Sequence, residues 1–188
     1  MKIAFLGWGS LICCPRGLKI KGSWNTDGPF LPIEFARVSK DKTLTLVLYR
    51  DADDVQTLWA YASHTDLLEA IKNLCQREET SLKNIGFISI PDSQSHCNVI
   101  PEVLNRIKHW AKGKRLDAVV WTDLPLKFKE VTGMDFNEDN VLGYLRGLKG
   151  DTLNKAKTYV MKAPRQIVTK TRRRIENELN WVGICDSS

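Results

Sequence analysis

Apolar runs of strand length, separated by short polar turns, dominate the first third of the chain. The predicted strands cover residues 2–6, 32–38, 43–49 and 55–62. Two of them flank Lys40-Asp41-Lys42, a polar turn that favours an antiparallel hairpin. Residues 14–29 are rich in Gly and Pro and are predicted to form a long irregular loop. This succession of strands indicates a closed or half-closed antiparallel sheet.

The spacing of the apolar residues changes to a helical period after residue 64. Thr65-Asp66 offers an N-cap for a first helix. Its apolar side recurs at Leu67, Leu68, Ile71, Leu74 and Cys75. Pro101 starts a second helix, which Lys112-Gly113-Lys114 ends. We predict a strand before this helix, at residues 86–90, and a continuously apolar, buried strand after it, at residues 117–122.

From Pro125 onward the pattern is helical and more polar. Helical segments are predicted within residues 136–147, 152–161 and 169–179, before a hydrophobic stretch at residues 181–184. We find no repeat, low-complexity tract or linker, so residues 1–188 are predicted to form a single α+β domain.

The composition is that of a globular chain, with 43% hydrophobic and 27% charged residues. No stretch approaches the roughly 18 apolar residues that a membrane span needs. Two glycines break the apolar run near the N-terminus, so we interpret it as a core strand and not as a signal peptide. The irregular spacing of five cysteines, with three histidines outside any ligand motif, predicts no metal site and a reducing, cytoplasmic environment.

A formal charge of +6 and a pI near 9.1 raise the question of a polyanionic partner. Much of the excess lies at Lys162, Arg165, Lys170, Arg172, Arg173 and Arg174. Acidic residues resume at Glu176, and no aromatic residues interleave the run, which favours a solvated helix face over a nucleic-acid surface. Weak, salt-sensitive binding to polyanions stays open as the alternative.

The turn after the first strand places two glycines around a bulky aromatic residue, in the order Gly7-Trp8-Gly9-Ser10. Such turns can gather backbone N–H groups into a concavity that binds anions. From the spacing alone, an ordinary turn at the end of a strand is the simpler interpretation.

One acidic residue falls inside the apolar stripe of the first helix. With Ile71 at the centre of the buried face, Glu78 lies about 20° from that centre and Glu79 about 80° from it. If the helix runs through residue 78, the Glu78 carboxylate points inward, where a charge needs a partner or a task. If the helix ends near Gln76, Glu78 is exposed or paired with an Arg or Lys, and the residues alone leave both possibilities open.

Four stretches, taken in order, resemble the γ-glutamylcyclotransferase-like superfamily. They are Gly7-Trp8-Gly9-Ser10-Leu11-Ile12, Leu31-Pro32-Ile33-Glu34-Phe35-Ala36-Arg37-Val38-Ser39, Leu74-Cys75-Gln76-Arg77-Glu78 and Ala118-Val119-Val120-Trp121-Thr122-Asp123-Leu124. Together they span most of the chain in the order that this superfamily would have. The resemblance implies a small mixed or antiparallel β-barrel with flanking helices.

The same resemblance implies a cofactor-free transferase or lyase reaction on a small γ-glutamyl substrate. The α-amine of a γ-glutamyl amine or peptide attacks its own γ-carbonyl, and the products are 5-oxoproline and a free amine. By resemblance, Glu78 is the acid/base. The expected substrate-binding residues are Trp8, Gly9, Ser10, Leu11 and Arg37. Arg37 is a candidate clamp for a substrate carboxylate, with a surface arginine at a strand edge as the alternative.

This chain departs from the family pattern at two positions. Trp8 stands where the family usually has Tyr, and Glu79 stands where Gly commonly follows the catalytic Glu. Glu79 could repel the charge of Glu78 or simply face water. Both departures favour a competing hypothesis, a non-catalytic binding module of the same fold whose basic C-terminal helix contacts an acidic partner or RNA. The sequence predicts neither the leaving amine nor the oligomeric state.

Overall fold

The computed structural model describes residues 1–184, which form strands and helices of an α+β protein. The strands are β1 (Ile3–Gly7), β2 (Ile20–Asn25), β3 (Phe30–Val38), β4 (Leu44–Leu48), β5 (Asp54–Gln56), β6 (Leu58–Ala62), β7 (Ile85–Ser89), β8 (Ser95–His96) and β9 (Ala118–Thr122). The α-helices are α1 (Ser10–Cys13), α2 (Leu67–Arg77), α3 (Val103–Gly113), α4 (Phe128–Thr132), α5 (Glu138–Gly147), α6 (Gly150–Lys162) and α7 (Lys170–Leu179).

Within residues 1–184 the strands form two sheets. The larger sheet has the order β2-β6-β1-β9-β7-β8, and the smaller has the order β4-β3-β5. At the centre of the larger sheet, β1 and β9 pair in parallel, with Phe5 opposite Val120. The neighbouring pairs, β1 with β6 and β7 with β9, are antiparallel. The predicted mixed α+β architecture is therefore confirmed.

The central strand β1 is buried on both faces because its side chains alternate between two hydrophobic clusters. Phe5 packs in the cluster that holds Ile71 and Leu74 of α2. Leu6 belongs to the larger cluster, which also contains Phe35 of β3. The larger sheet therefore lies between α2 on one side and the smaller sheet on the other. The C-terminal end of β1 emerges between these layers.

The predictions that rest on local signals are confirmed. The hairpin forms, with β3 and β4 antiparallel and Ile33 opposite Leu48. Helix α2 begins after Asp66, whose carboxylate accepts a hydrogen bond from the Glu69 N–H at 2.9 Å. The buried strand at residues 117–122 is present as β9.

One predicted strand is divided between the two sheets. Residues 55–62 contain β5, which pairs with β3, and β6, which pairs with β1. Thr57 lies between them, and its N–H and hydroxyl both donate to the Pro29 carbonyl, at 3.1 and 2.8 Å. This anchor turns the chain from one sheet to the other, which an unbroken apolar pattern does not signal.

The loop predicted at residues 14–29 contains a strand, β2, at the edge of the larger sheet. It pairs with β6, and its register shifts between Lys21 and Asn25. Most of its side chains are exposed, so it lacks the apolar alternation on which strand prediction relies.

The strands of residues 1–184 form two open sheets, not the single closed barrel that the resemblance implied. In the larger sheet, β2 and β8 are the edges. Among the helices of the same residues, none is long and apolar enough to cross a membrane.

Candidate functional site

A groove of about 1270 Å³ opens where the C-terminal end of β1 meets the last turn of α2. The β3–β4 hairpin and one face of α6 form its other walls. Its volume exceeds the roughly 300–1,000 Å³ of typical small-molecule pockets. All six of the site residues predicted from the sequence line this groove, namely Trp8, Gly9, Ser10, Leu11, Arg37 and Glu78.

Neighbouring side chains crowd both glycines of the loop, so neither position has room for a Cβ. A Cβ on Gly7 would lie 2.4 Å from Cδ1 of Ile12. After the turn, the short helix α1 begins at Ser10, and the Cys14 N–H donates to the Ser10 carbonyl at 2.9 Å. The first turn of a helix leaves backbone N–H groups without intrahelical acceptors. The loop can therefore offer backbone donors to a ligand in the groove.

Arg77, the last residue of α2, ties this loop to the end of the helix. Its side chain is nearly buried, and its two terminal nitrogens lie 3.3 and 3.2 Å from Ser10 Oγ. One of them also donates to the Cys14 carbonyl at 2.6 Å. The guanidinium forms an ion pair with the Glu78 carboxylate as well. Arg77 therefore holds the loop and the predicted acid side by side.

Glu78 combines features of both possibilities left open by the sequence. Helix α2 ends at Arg77, and Glu78 occupies the C-cap position with α-helical backbone angles. Its side chain is only 15% exposed and pairs with Arg77. Glu79 has a φ of 49° and a side chain that is 83% exposed, 3.7 Å from Arg16. The reversal of the backbone after Glu78 thus separates the two acids, and Glu79 faces water at the rim.

Arg37 is a half-buried residue of β3 and not a surface arginine at a strand edge. Its Nη1 donates to the Pro125 carbonyl at 2.7 Å. Burial lowers the pKa of Arg37, and the negative charges of Glu130 and Glu78 oppose that shift. A cationic side chain thus lies within electrostatic range of Glu78.

Tyr159 of α6 is a site residue that sequence reasoning missed. A Cβ on Gly9 would lie 2.6 Å from its hydroxyl oxygen, so the hydroxyl lies directly over the glycine loop. Burial raises the pKa of Tyr159 to about 12, hydrogen bonding to the Leu46 backbone lowers it in part, and the charge of Glu78 raises it. The hydroxyl therefore stays protonated at neutral pH and can donate a hydrogen bond.

Trp8 lines the groove from its core side. It is buried in the larger hydrophobic cluster, which also contains Leu46 of β4. The indole therefore supplies an aromatic ring to the groove, and Tyr159 brings a phenolic hydroxyl from another element.

The prediction that the basic C-terminal run lies on a solvated helix face is wrong for Arg172. This side chain is 2% exposed and donates to the carbonyls of Pro164, Ile167 and Ala163, at 2.5, 3.1 and 3.2 Å. Its charge is met by Glu176 at 2.9 Å. Arg172 therefore closes the end of α6 onto α7 and is not available to a partner.

The site thus brings together a carboxylate, two guanidinium groups, a phenol and a glycine loop. Within residues 1–184, no group of three or more His, Cys, Asp or Glu side chains is placed to hold a metal ion. Comparisons of the chain with models of known families, with curated proteins and with solved structures find no match. The function is therefore argued from the groove and from the motif resemblance alone.

Proposed function

We propose that this chain is a γ-glutamylcyclotransferase-like enzyme, which converts a γ-glutamyl amine or peptide to 5-oxoproline and a free amine. One observation carries the proposal: Arg77 contacts both Ser10 of the glycine loop and the carboxylate of Glu78. Two motifs that are far apart in the sequence therefore meet at one groove. The proposal extends to the fold: the two open sheets correspond to the small β-barrel of the γ-glutamylcyclotransferase-like superfamily.

The charges in the groove match the head group of such a substrate. A γ-glutamyl compound carries an α-carboxylate and an α-ammonium on the same carbon. Arg37, with the backbone donors of the loop, suits the carboxylate, because a guanidinium binds carboxylates through paired hydrogen bonds. Glu78 suits the ammonium. A site with charges of only one sign would bind either the α-carboxylate or the α-ammonium, but not both.

The reaction needs a proton carrier and a group that stabilises negative charge. Glu78 accepts a proton from the α-ammonium, and the freed amine attacks the γ-carbonyl carbon to form the new C–N bond. Tyr159 and the loop donors stabilise the developing oxyanion. The bond to the leaving nitrogen then breaks as Glu78 returns the proton to it, and the second proton lost by the attacking nitrogen passes to the departing amine, which leaves as an ammonium ion. Because the nucleophile is tethered, effective molarities of about 10⁵ M or more are accessible.

The decisive experiment measures 5-oxoproline released from a panel of γ-glutamyl dipeptides and γ-glutamyl amines. We expect Glu78→Gln to lower kcat by about 10²- to 10⁴-fold, the usual contribution of a general acid–base. Glu79→Gln is the matched control, since it removes the neighbouring exposed carboxylate, and we expect it to keep wild-type activity. If wild-type protein releases 5-oxoproline from no member of the panel, the enzyme proposal fails. If Glu78→Gln is as active as wild type, the role of Glu78 fails.

A cytoplasmic location is part of this proposal and rests on the sequence alone, in which no two cysteines have C-x-x-C spacing. The competing binding module is weakened by the burial of Arg172, one of the six basic residues of the C-terminal run. Arg174 is engaged with Asp139 and Glu178, at 2.9 and 2.6 Å.

A further inference from the structure

The groove continues well beyond the residues assigned to the γ-glutamyl group. Among residues 1–184, seven basic and four acidic side chains line it. One whole face of α6 forms a wall of this extension. The residues on that face are Asp151, Asn154, Lys155, Thr158, Tyr159 and Lys162. Their spacing of three and four residues keeps them on one side of the helix, which therefore presents a continuous polar strip about 16 Å long.

Two lysines flank the proposed reaction centre on this strip. Lys155 lies four residues before Tyr159 and Lys162 three residues after it, which is about one helical turn in each direction. Within residues 1–184, neither ammonium group forms an ion pair with a carboxylate. The acid on the same face, Asp151, lies in the first turn of α6, where the helix dipole stabilises a negative charge.

The wall formed by the β3–β4 hairpin and the segment after β9 carries two lysines and one acid, Asp41, beyond the residues assigned to the γ-glutamyl group. Lys40 and Lys127 line it, and the Lys127 ammonium is 3.9 Å from Glu130, at the limit of an ion pair. A γ-glutamyl head group bound at Glu78 and Arg37 therefore extends its leaving group between cationic side chains. A neutral leaving group gains nothing from them, and a cationic one is repelled.

We propose that this extension binds a chain bearing carboxylates, so that the substrate is a γ-glutamyl compound whose leaving group is an acidic amino acid or acidic peptide. Lys155 and Lys162 are its specificity-determining residues. The assignment of this acidic segment as the leaving group of a γ-glutamyl substrate rests on the proposed function. Its binding in the groove does not. Exposed ion pairs are individually weak, and we expect each lysine to contribute about two- to fivefold in affinity.

A binding experiment tests the extension without any turnover. The probes are N-acetylated triglutamate and its neutral match, N-acetylated triglutamine, titrated against wild-type protein by tryptophan fluorescence or by NMR. We expect triglutamate to bind at least about tenfold more tightly at low salt, and the difference to shrink as ionic strength rises. We expect the double variant Lys155→Ala, Lys162→Ala to lose about tenfold in triglutamate affinity and the control Lys157→Ala, an exposed lysine of α6 outside the groove, to lose none. Equal binding of the two peptides, or full affinity in the double variant, overturns the proposal.

A kinetic experiment separates this inference from the proposed function. It compares kcat/KM for γ-glutamyl-glutamate with that for γ-glutamyl-alaninamide, in wild type and in the double lysine variant. A preference for the acidic substrate that falls in the double variant supports the inference. Release of 5-oxoproline from both substrates at equal efficiency overturns the inference alone. Release from neither substrate defeats the proposed function, and the peptide titration then still decides whether the groove binds carboxylates.

Discussion

The terminal nitrogens of Arg77 lie 3.3 and 3.2 Å from Ser10 Oγ. This contact joins the end of the first helix to the loop after the first strand, although the two residues are 67 positions apart in the sequence. Because the same guanidinium pairs with Glu78, the contact sets the position of the proposed acid relative to the proposed binding loop. The geometry of the site therefore depends on a residue that does not belong to the predicted catalytic set.

We expect Arg77→Ala to lower the free energy of unfolding by about 3 kcal/mol, the lower end of the effect of breaking a buried ion pair. The substitution leaves the largely buried Glu78 carboxylate without its partner. Urea denaturation at neutral pH measures the change. Arg16→Ala is the control, because Arg16 and Glu79 are exposed, and we expect a change within about 0.5 kcal/mol. Equal losses in the two variants would show that the Arg77 contacts do not stabilise the fold.

Elements with strong local signals could be predicted from the sequence. The N-cap at Asp66, the hairpin turn at Lys40-Asp41-Lys42 and the apolar strand before Asp123 each depend on neighbouring residues, and the structure has all three. The edge strand β2 was missed because its exposed side chains leave no apolar alternation. Closure of the sheets into a barrel stays unconfirmed, since the pairing of distant strands leaves little trace in local sequence.

The residues of the candidate site also divide into those that a local sequence pattern marks and those that only the packing of distant elements brings to the groove. Glu78 stands out because it lies within an apolar stripe, where an acid is unexpected, but the helical pattern alone left its environment open and the family resemblance made it the predicted acid/base. Arg77 lies about 120° from the centre of that stripe, so the helical wheel places it toward solvent. It is buried because the chain around Cys14 covers that side of α2. Tyr159 contacts the glycine loop only through the packing of α6, which no pattern near either residue predicts.

The close approach of Tyr159 to Gly9 gives a prediction with a built-in rescue. A Cβ at Gly9 would lie 2.6 Å from the Tyr159 hydroxyl oxygen, closer than atoms can approach. We expect Gly9→Ala to destabilise the fold by about 1–3 kcal/mol, the usual effect of overpacking. Adding Tyr159→Phe removes the clashing oxygen, and we expect the double variant to recover part of the loss in thermal denaturation. A double variant that is no more stable than Gly9→Ala contradicts this packing.

Glu34 gives a prediction for the pH dependence of stability. Its side chain is 3% exposed and accepts hydrogen bonds from the N–H groups of Phe35 and Thr171, at 2.7 and 3.3 Å. Burial raises its pKa above the ordinary value of 4.5, although hydrogen bonds from Thr169, Phe35 and Thr171 oppose that shift. The folded chain therefore binds this proton more tightly than the unfolded chain, and its contribution to stability is lost as pH rises from about 4.5 through the raised pKa.

We expect Glu34→Gln to remove this pH dependence. The stability of the variant relative to wild type should increase as pH rises above about 4.5, because the variant has no buried carboxyl to ionise. Urea denaturation of both proteins at a series of pH values measures the difference. A difference that is constant across the series would show that Glu34 does not titrate differently in the folded and unfolded chains.

Substitutions in the basic C-terminal run can distinguish a structural role from a binding role, because Arg172 is buried and Arg173 is exposed. The hydrogen bonds of Arg172 to three carbonyls and its ion pair with Glu176 are lost in Arg172→Met, and we expect the free energy of unfolding to fall by about 3 kcal/mol. Arg173→Met is the matched control, because Arg173 is exposed on the same helix, and we expect a change within about 0.5 kcal/mol. Retention on heparin as salt is raised gives the second measurement. We expect Arg173→Met to elute with wild type, whereas a large shift to lower salt would show that this helix binds polyanions through its exposed arginine.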